Sequence, residues 1–345
     1  MEKEILISDK MQKQGIIDST VLEPSFAGKT LNIEITSACN ENCIYCYFSA
    51  KGFHKKANMI NEQFFYRITK EAFELGITDV GLYMTAEPLM NTKIYDYISY
   101  LKKIGFEYVY ISTNGILCTP ENLRKLASAG IDSIKFSVSA GTKENFIKHH
   151  GIDAFDKVKR NIEYAYSYRK ENNLKYKLYM YTIITKFNCS EKNKIKEIFG
   201  SYVDELVFLD VLDGPIKLKG LEEFLMENKN AKYEALAART IPCAMLFNRI
   251  VIDEKGYICI CCDSGDSYTR VMDIKNMSLK DAVYSDKMKK IRKMHIDKNI
   301  KNTICNRCAY GVIEKIKPFE TIENEKYIEV EQIDIENEIK KRFNL

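Results

Sequence analysis

Three cysteines, Cys39, Cys43 and Cys46, stand at the spacing C-x3-C-x2-C. Thiolates so close together on one stretch cannot form a closed disulfide set. They read as three ligands of a metal group that keeps a fourth position open. A second set is spread along the chain: Cys243, Cys261, and the pair Cys305 and Cys308 in a C-x2-C. Four thiolates make a closed site, either an iron–sulfur cluster or a zinc ribbon. Cys259 and Cys262 flank Cys261 and leave the second ligand ambiguous. Cys262 and Cys118 are candidate hydrogen-atom donors if they face a cavity; a buried apolar thiol is the plainer reading of each. Cys189 reads as structural and the pair His149 and His150 as solvated. Glu34, Asp210 and Asp263 lie near strand ends and are candidate general bases.

Composition narrows the class. Hydrophobic residues make up 46% of 345 and aromatics 11%, enough for a sizeable core, so whole-chain disorder is excluded. Lys and Arg number 52 against 48 Asp and Glu, a net charge of +4 with the signs interspersed. Nucleic-acid binding is not suggested by that balance. The start, Met1-Glu2-Lys3-Glu4, lacks a signal-peptide pattern, and no run of about eighteen apolar residues would span a bilayer. A cytoplasmic protein with no membrane or nucleic-acid partner is expected. In that reducing setting eleven cysteines point to metal or redox chemistry rather than disulfides.

These residues need elements to hold them. Strands are predicted over Leu31–Thr36, Asp79–Met84, Tyr108–Thr113, Ser133–Val138, Tyr176–Thr185 and Leu206–Val211. Helices are predicted over Asn61–Leu75, Asn91–Ile104, Pro120–Ala129, Ala154–Asn172 and Glu191–Phe199. Six such repeats imply a parallel sheet with right-handed crossovers. One strand face is polar again and again: Asn32, Glu34 and Thr36; Tyr108, Tyr110 and Ser112; Lys135, Ser137 and Ser139; Tyr179 and Tyr181. Side chains alternate with period two, so these groups share one side and must line water or a ligand. The expected fold is α/β: a partial (β/α)6 barrel with a small C-terminal β-hairpin/helix domain for the second thiol set. The chain divides into an N-terminal extension (1–30), the barrel core (31–212), a linker (213–240), the auxiliary domain (241–315) and a tail with a helix (316–345). Within the auxiliary part a hairpin is predicted over Asn248–Ile252 and Tyr257–Cys261, then a helix over Leu279–Met294. An amphipathic helix is predicted over Ile333–Leu345.

The Cys39–Cys46 stretch, with Tyr45 in the aromatic position, resembles the core motif of the radical S-adenosylmethionine (SAM) superfamily. Thr85-Ala86-Glu87-Pro88 looks like that family's Gly-Glu-Pro motif, with Ala86 where glycine is usual. Ser112-Thr113-Asn114-Gly115 looks like its ribose-side motif, and Ser137 sits where the fourth strand often faces SAM. The resemblance implies a [4Fe–4S] cluster held by Cys39, Cys43, Cys46 and exchangeable SAM. It also implies SAM contacts from Tyr45, Glu87, Ser112, Asn114 and Ser137. Reductive cleavage of SAM would give a 5′-deoxyadenosyl radical that takes hydrogen from the substrate, with flavodoxin or ferredoxin as electron donor. The distal thiols resemble a SPASM domain in its shortened, Twitch form. That implies one auxiliary [4Fe–4S] cluster on Cys243, Cys261, Cys305 and Cys308, Cys261 standing at the family's offset from Gly256. The polar, tyrosine-rich face suits hydroxyl groups. The leading expectation is therefore dehydrogenation or epimerisation at a carbinol carbon of a sugar or cyclitol. In the dehydrogenase version the auxiliary cluster takes an electron; in the epimerase version a thiol such as Cys262 returns hydrogen. Radical modification of a peptide is the alternative, and a non-catalytic Fe–S or zinc protein the third reading.

Overall fold

The computed structural model describes residues 21–46, 48–49, 57–210, 220, 241–262, 268–310, 316–321 and 334–344. The elements in order are β1 (Thr30–Ile33), α1 (Glu62–Glu74), β2 (Asp79–Gly81), α2 (Ile94–Ile104), β3 (Tyr108–Thr113), α3 (Pro120–Ala129), β4 (Ser133–Ser137), α4 (Lys143–His150), α5 (Phe155–Glu171), β5 (Lys177–Ile184), α6 (Lys192–Phe199) and β6 (Glu205–Asp210). Then come α7 (Met245–Asn248), β7 (Arg249–Ile252), β8 (Tyr257–Cys259), β9 (Arg270–Asp273), α8 (Leu279–Val283), α9 (Asp286–Ile296), α10 (Ile304–Tyr310) and α11 (Glu336–Phe343).

The six barrel strands are parallel and lie in chain order, β6-β5-β4-β3-β2-β1, as the repeat of strands and helices predicts. Local chemistry sets the helix ends. The Thr119 hydroxyl accepts from Asn122 N at the start of α3, Pro120 follows, and Gly130 at φ +90° closes it. On the outer face Leu31, Val80, Val109, Ile111, Ile134, Phe136, Leu178 and Met180 are wholly buried under the helices. Burying side chains of this size contributes on the order of 1.5–3 kcal/mol each before chain entropy is counted. The opposite face carries the polar residues. Asn32, Gly81, Tyr110 and Ser133 form one cross-strand row, and Ser112, Lys135 and Tyr179 another.

The sheet does not stop at the barrel. β7 pairs in parallel with β1, in register from Thr30–Arg249 to Ile33–Ile252, and β8 and β9 add antiparallel. The hairpin that leads into Cys261 and Cys262 is thus an edge of the barrel sheet, nine strands in all. Two elements depart from expectation. The helix predicted over Leu279–Met294 is broken into α8 and α9, because Ser285 turns extended and caps Met288 N. The polar stretch around His149 and His150, read as a loop or a helix end, is the end of α4, a helix capped by Thr142 that is absent from the predicted elements. The predicted linker lies, Gly220 aside, outside the described residues, as does most of the N-terminal extension. The described part of that extension lies on the C-terminal helices: Arg292 donates to Leu22 O and Tyr284 to Pro24 O.

Candidate active site

The Cys39–Cys46 loop leaves the C-terminal end of β1, where barrel chemistry is expected. It is clamped from beneath by α4: Asn42 N donates to His150 O and Ile44 N to His149 O. Both histidines are buried, at 0% and 2% exposure, which overturns their reading as solvated. The reason is a full set of partners. His150 Nε2 accepts from Ser139 N at 3.0 Å, so Nδ1 carries the proton. That proton is donated to Glu41 Oε2 at 3.0 Å, with Cys43 Sγ 3.6 Å from the same nitrogen. The Cys43 thiol also donates to Glu41 Oε2, at 3.1 Å. His149 donates from Nδ1 to Asn145 O and accepts at Nε2 from Thr185. Tyr45 lies over His149, with ring centroids 6.3 Å apart, and bonds Ser139.

The C-terminal helix completes the clamp. Arg342 donates to Asn42 O at 2.8 Å, and Phe343 packs between His149 and Phe187. Gly151, at φ +71°, lies directly below: a Cβ there would sit 2.5 Å from Asn42 O. The loop therefore rests on backbone that tolerates no side chain.

Glu87 joins three strand ends. Its carboxylate accepts from Thr113 Oγ1 (2.8 Å), Asn114 N (2.7 Å) and Leu89 N (3.1 Å), while its own N–H donates to Ala38 O beside the cysteine loop. It is 2% exposed, and burial raises its pKa to about 7. Asn114 bonds Asn40 within the loop region at 2.7 Å. Ser112 and Ser137 face each other at 3.5 Å at the open end of the barrel. Glu34 is 1% exposed and accepts from both Thr85 N and Thr85 Oγ1, so it is a structural anchor rather than an available base. Asp263 lies outside the described residues.

All eleven cysteines are free thiols. Cys305 lies in the electrostatic field of Cys243 and Cys308, so those three are brought together. Cys259 is set apart, buried beside Asp253 and Arg270. Cys262 accepts a hydrogen bond from Arg249 near Tyr110, while Cys261 packs against the core. Cys118 is wholly buried in the apolar core, which leaves it the plainer of its two readings. Cys189 donates to Lys186 O.

The thiol sets fit iron–sulfur ligation. Burial pushes the Cys43 and Cys305 thiols up, so each stays neutral until a cation takes its proton's place. Among the described residues no three sulfurs lie within 4.8 Å of one another.

The barrel lumen was legible only as a polar face. It is floored by Asn32, wholly buried, and by Gly81, where a Cβ would lie 2.7 Å from Asn32 Nδ2 and 2.8 Å from the Tyr110 ring. Tyr83, Lys135 and Tyr181 stand above that floor. The Lys135 ammonium is 4.9 Å from the Tyr83 ring centroid and 4.7 Å from that of Tyr181. Burial pushes the Tyr181 phenol up to about 12 and raises that of Tyr110 too, so both are neutral hydrogen-bond donors.

Comparison with known proteins agrees with this geometry. The radical SAM superfamily profile matches residues 33–197, and that of an iron–sulfur cluster-binding domain, SPASM, matches residues 243–309. The chain is 33% identical over 135 residues to a probable GTP 3′,8-cyclase of Saccharolobus solfataricus, a stretch covering 39% of this chain and 42% of that protein. Among solved structures, native anSMEcpe with bound AdoMet superposes with a TM-score of 0.61 at 16% identity, covering 91% of this chain and 95% of that one. Streptococcus suis SuiB bound to its precursor peptide SuiA gives 0.59 at 17%, over 82% of this chain and 69% of that one. BtrN with AdoMet and 2-DOIA gives 0.51 at 17%, over 81% and 91%. At these identities the likeness is one of fold. No helix among the described residues is long and apolar enough to cross a membrane. With a three-thiol loop at the mouth of a six-stranded parallel barrel and a cysteine-bearing hairpin on its edge, the chain carries a radical SAM domain over residues 33–197 and a SPASM-type iron–sulfur cluster-binding domain over residues 243–309.

Proposed function

We propose that this radical SAM enzyme abstracts hydrogen from a carbinol carbon of a sugar or cyclitol, giving a ketone or an epimer. The observation that carries this reading is the lumen: rows of hydroxyl and amide groups running from Asn32 through Tyr110 and from Ser112 through Tyr179 beneath the cysteine loop. Such donors match the vicinal hydroxyls of a polyol. When bound at Cys39, Cys43 and Cys46, the cluster and SAM supply the 5′-deoxyadenosyl radical. The chain's own residues do the rest. Glu41, His150 and Arg342 hold the loop; Glu87 and Asn114 fix the strand ends beside it; Ser112 and Ser137 offer hydroxyls at the barrel mouth for SAM. Cys243, Cys305 and Cys308, with Cys261 as fourth ligand, would hold the auxiliary cluster, and Cys262 stands on the Arg249 side where a hydrogen donor is needed. A peptide substrate is the second reading, supported by the shared fold of SuiB bound to its precursor peptide.

Anaerobically reconstituted protein should carry about eight irons, and about four after Cys43→Ala or Cys305→Ala. With SAM and dithionite, 5′-deoxyadenosine release should rise on adding a polyol substrate. In D2O an epimerase places deuterium in the product; a dehydrogenase gives an unlabelled ketone. Release that rises with peptides and with no sugar would reject the carbinol reading.

A further inference from the structure

Two cations flank Tyr83 inside the lumen, and neither is neutralised there. Lys135, on β4, sits between the Tyr83 and Tyr181 rings. Arg249, at the start of β7, is on the other side: it donates to Cys262 and faces the Tyr83 and Tyr110 hydroxyls. Among the described residues no carboxylate makes an ion pair with either, unlike Arg67, Lys102, Lys125 and Arg169 on the surrounding helices. Two sheet carboxylates share these rows, Asp79 two strands from Arg249 and Glu205 two strands from Lys135, and neither is ion-paired to the cation of its row. Aromatic faces offset part of the cost of holding an ammonium out of water, by about 0.5–2 kcal/mol. They do not supply a counter-charge. Asn32 adds a second, independent sign of a missing ligand: it is wholly buried on the same floor, and its Oδ1 has no hydrogen-bond partner, an acceptor that calls for a hydroxyl donor on the ligand rather than for its anion.

We infer that the lumen is built for an oxyanion on the substrate, a phosphate or a carboxylate, held between Lys135 and Arg249 with the Tyr83 hydroxyl between them. This deepens the proposed function and rests on it: the sugar or cyclitol would be a phosphorylated or acidic one. The guanidinium offers a planar fork to two oxygens and the ammonium a point charge to a third. Anchored there, the rest of the molecule extends along the Ser112–Lys135–Tyr179 row towards the barrel mouth. A neutral polyol would leave both cations desolvated and unpaired, so the site discriminates against it.

Reconstituted wild-type enzyme with SAM is titrated calorimetrically with glucose 6-phosphate, glucuronate, glucose and inorganic phosphate. Binding of at least one anionic sugar at least tenfold tighter than glucose is expected, and whether the phosphate or the carboxylate wins identifies the oxyanion. Lys135→Met and Arg249→Met should each weaken that binding tenfold or more, and Lys135→Arg should restore part of it, showing that charge rather than folding is at stake. Glucose binding as well as the anionic sugars, or variants binding them like wild type, would overturn the inference. SAM cleavage by wild type is read in the same preparation: its absence would instead reject the radical reading.

Discussion

Replacing Glu87 by Gln tests the keystone of the strand ends. The carboxylate has an ordinary pKa of 4.5 and about 7 in the fold, raised first by burial and lowered only in part by Asn114 N, Thr113 and Leu89 N. A folded pKa above the unfolded one means that the native state binds more protons between those values. Stability from this group is therefore fully present below pH 4.5 and is lost as pH rises towards 7. Integrating both titrations, the group withdraws about 2.5 kcal/mol between pH 5 and pH 8. Glutamine cannot ionise, so Glu87→Gln has no such slope. It does turn one acceptor oxygen into a donor among three donors, at a cost of about 1–3 kcal/mol for the N–H left unpaired. That cost is nearly independent of pH. Urea unfolding of the cluster-free protein at pH 5 and pH 8 should show the variant less stable at pH 5. At pH 8 it should recover by about 2.5 kcal/mol relative to wild type. If the difference between the two proteins is the same at both pH values, or moves the other way, the buried-charge account of Glu87 is wrong.

Gly151→Ala should cost about 1–2 kcal/mol for the left-handed backbone alone. Its Cβ also drives Asn42 off α4, so iron retention at the first site, measured per chain after gel filtration, should fall to about half. His149, buried with a pKa lowered to about 4, is neutral in the fold. Its contribution is present above pH 6.5 and lost as pH falls; relative to His149→Gln, wild type should lose about 3 kcal/mol between pH 7 and pH 4 in denaturant melts. Inserting ten Gly/Ser residues within 221–240 should leave the iron count unchanged and cost about 0.2 kcal/mol of loop entropy, because the β1–β7 ladder fixes the hairpin. Loss of four irons in that variant would show that the linker does the placing.

Strand pairing and the polar lumen face were readable because period-two alternation is a local signal: Lys135, Ser137 and Tyr179 announce their side without their neighbours. What was not readable depends on pairing at a distance. Lys143–His150 shows no apolar stripe; Phe146 is its one buried apolar side chain, and its status as a helix rests on the Thr142 cap and on Gly151. Polar residues default to solvent. His150 escapes that default through Ser139 and Glu41, the latter 109 residues away. The strand Arg270–Asp273 was missed for the same reason: it begins with a buried arginine, neutralised by Asp253 across the hairpin at 2.5 Å. Cysteine spacing showed the thiols but not their sorting. Cys259 goes to the Asp253–Arg270 side and Cys262 to Arg249, and only tertiary contacts tell them apart.

The join between β1 and β7 gives that sorting its functional sense. β1 runs straight into the Cys39–Cys46 loop, and Glu34 N donates to Ile252 O one residue beyond the strand pair. Backbone hydrogen bonds, not side-chain packing across a domain interface, thus set the loop against the hairpin. β7 contributes Arg249 to the lumen at one end of that ladder, and β8 ends at Cys259, next to Cys261 and Cys262. A single short strand therefore positions a lumen cation, a thiol facing it and the start of the auxiliary ligand set. An independent domain on a flexible linker would let these three drift by ångströms, whereas hydrogen transfer tolerates far less. Extending the barrel sheet by three strands holds Arg249, Cys262 and the hairpin cysteines at fixed distances from the Cys39–Cys46 loop.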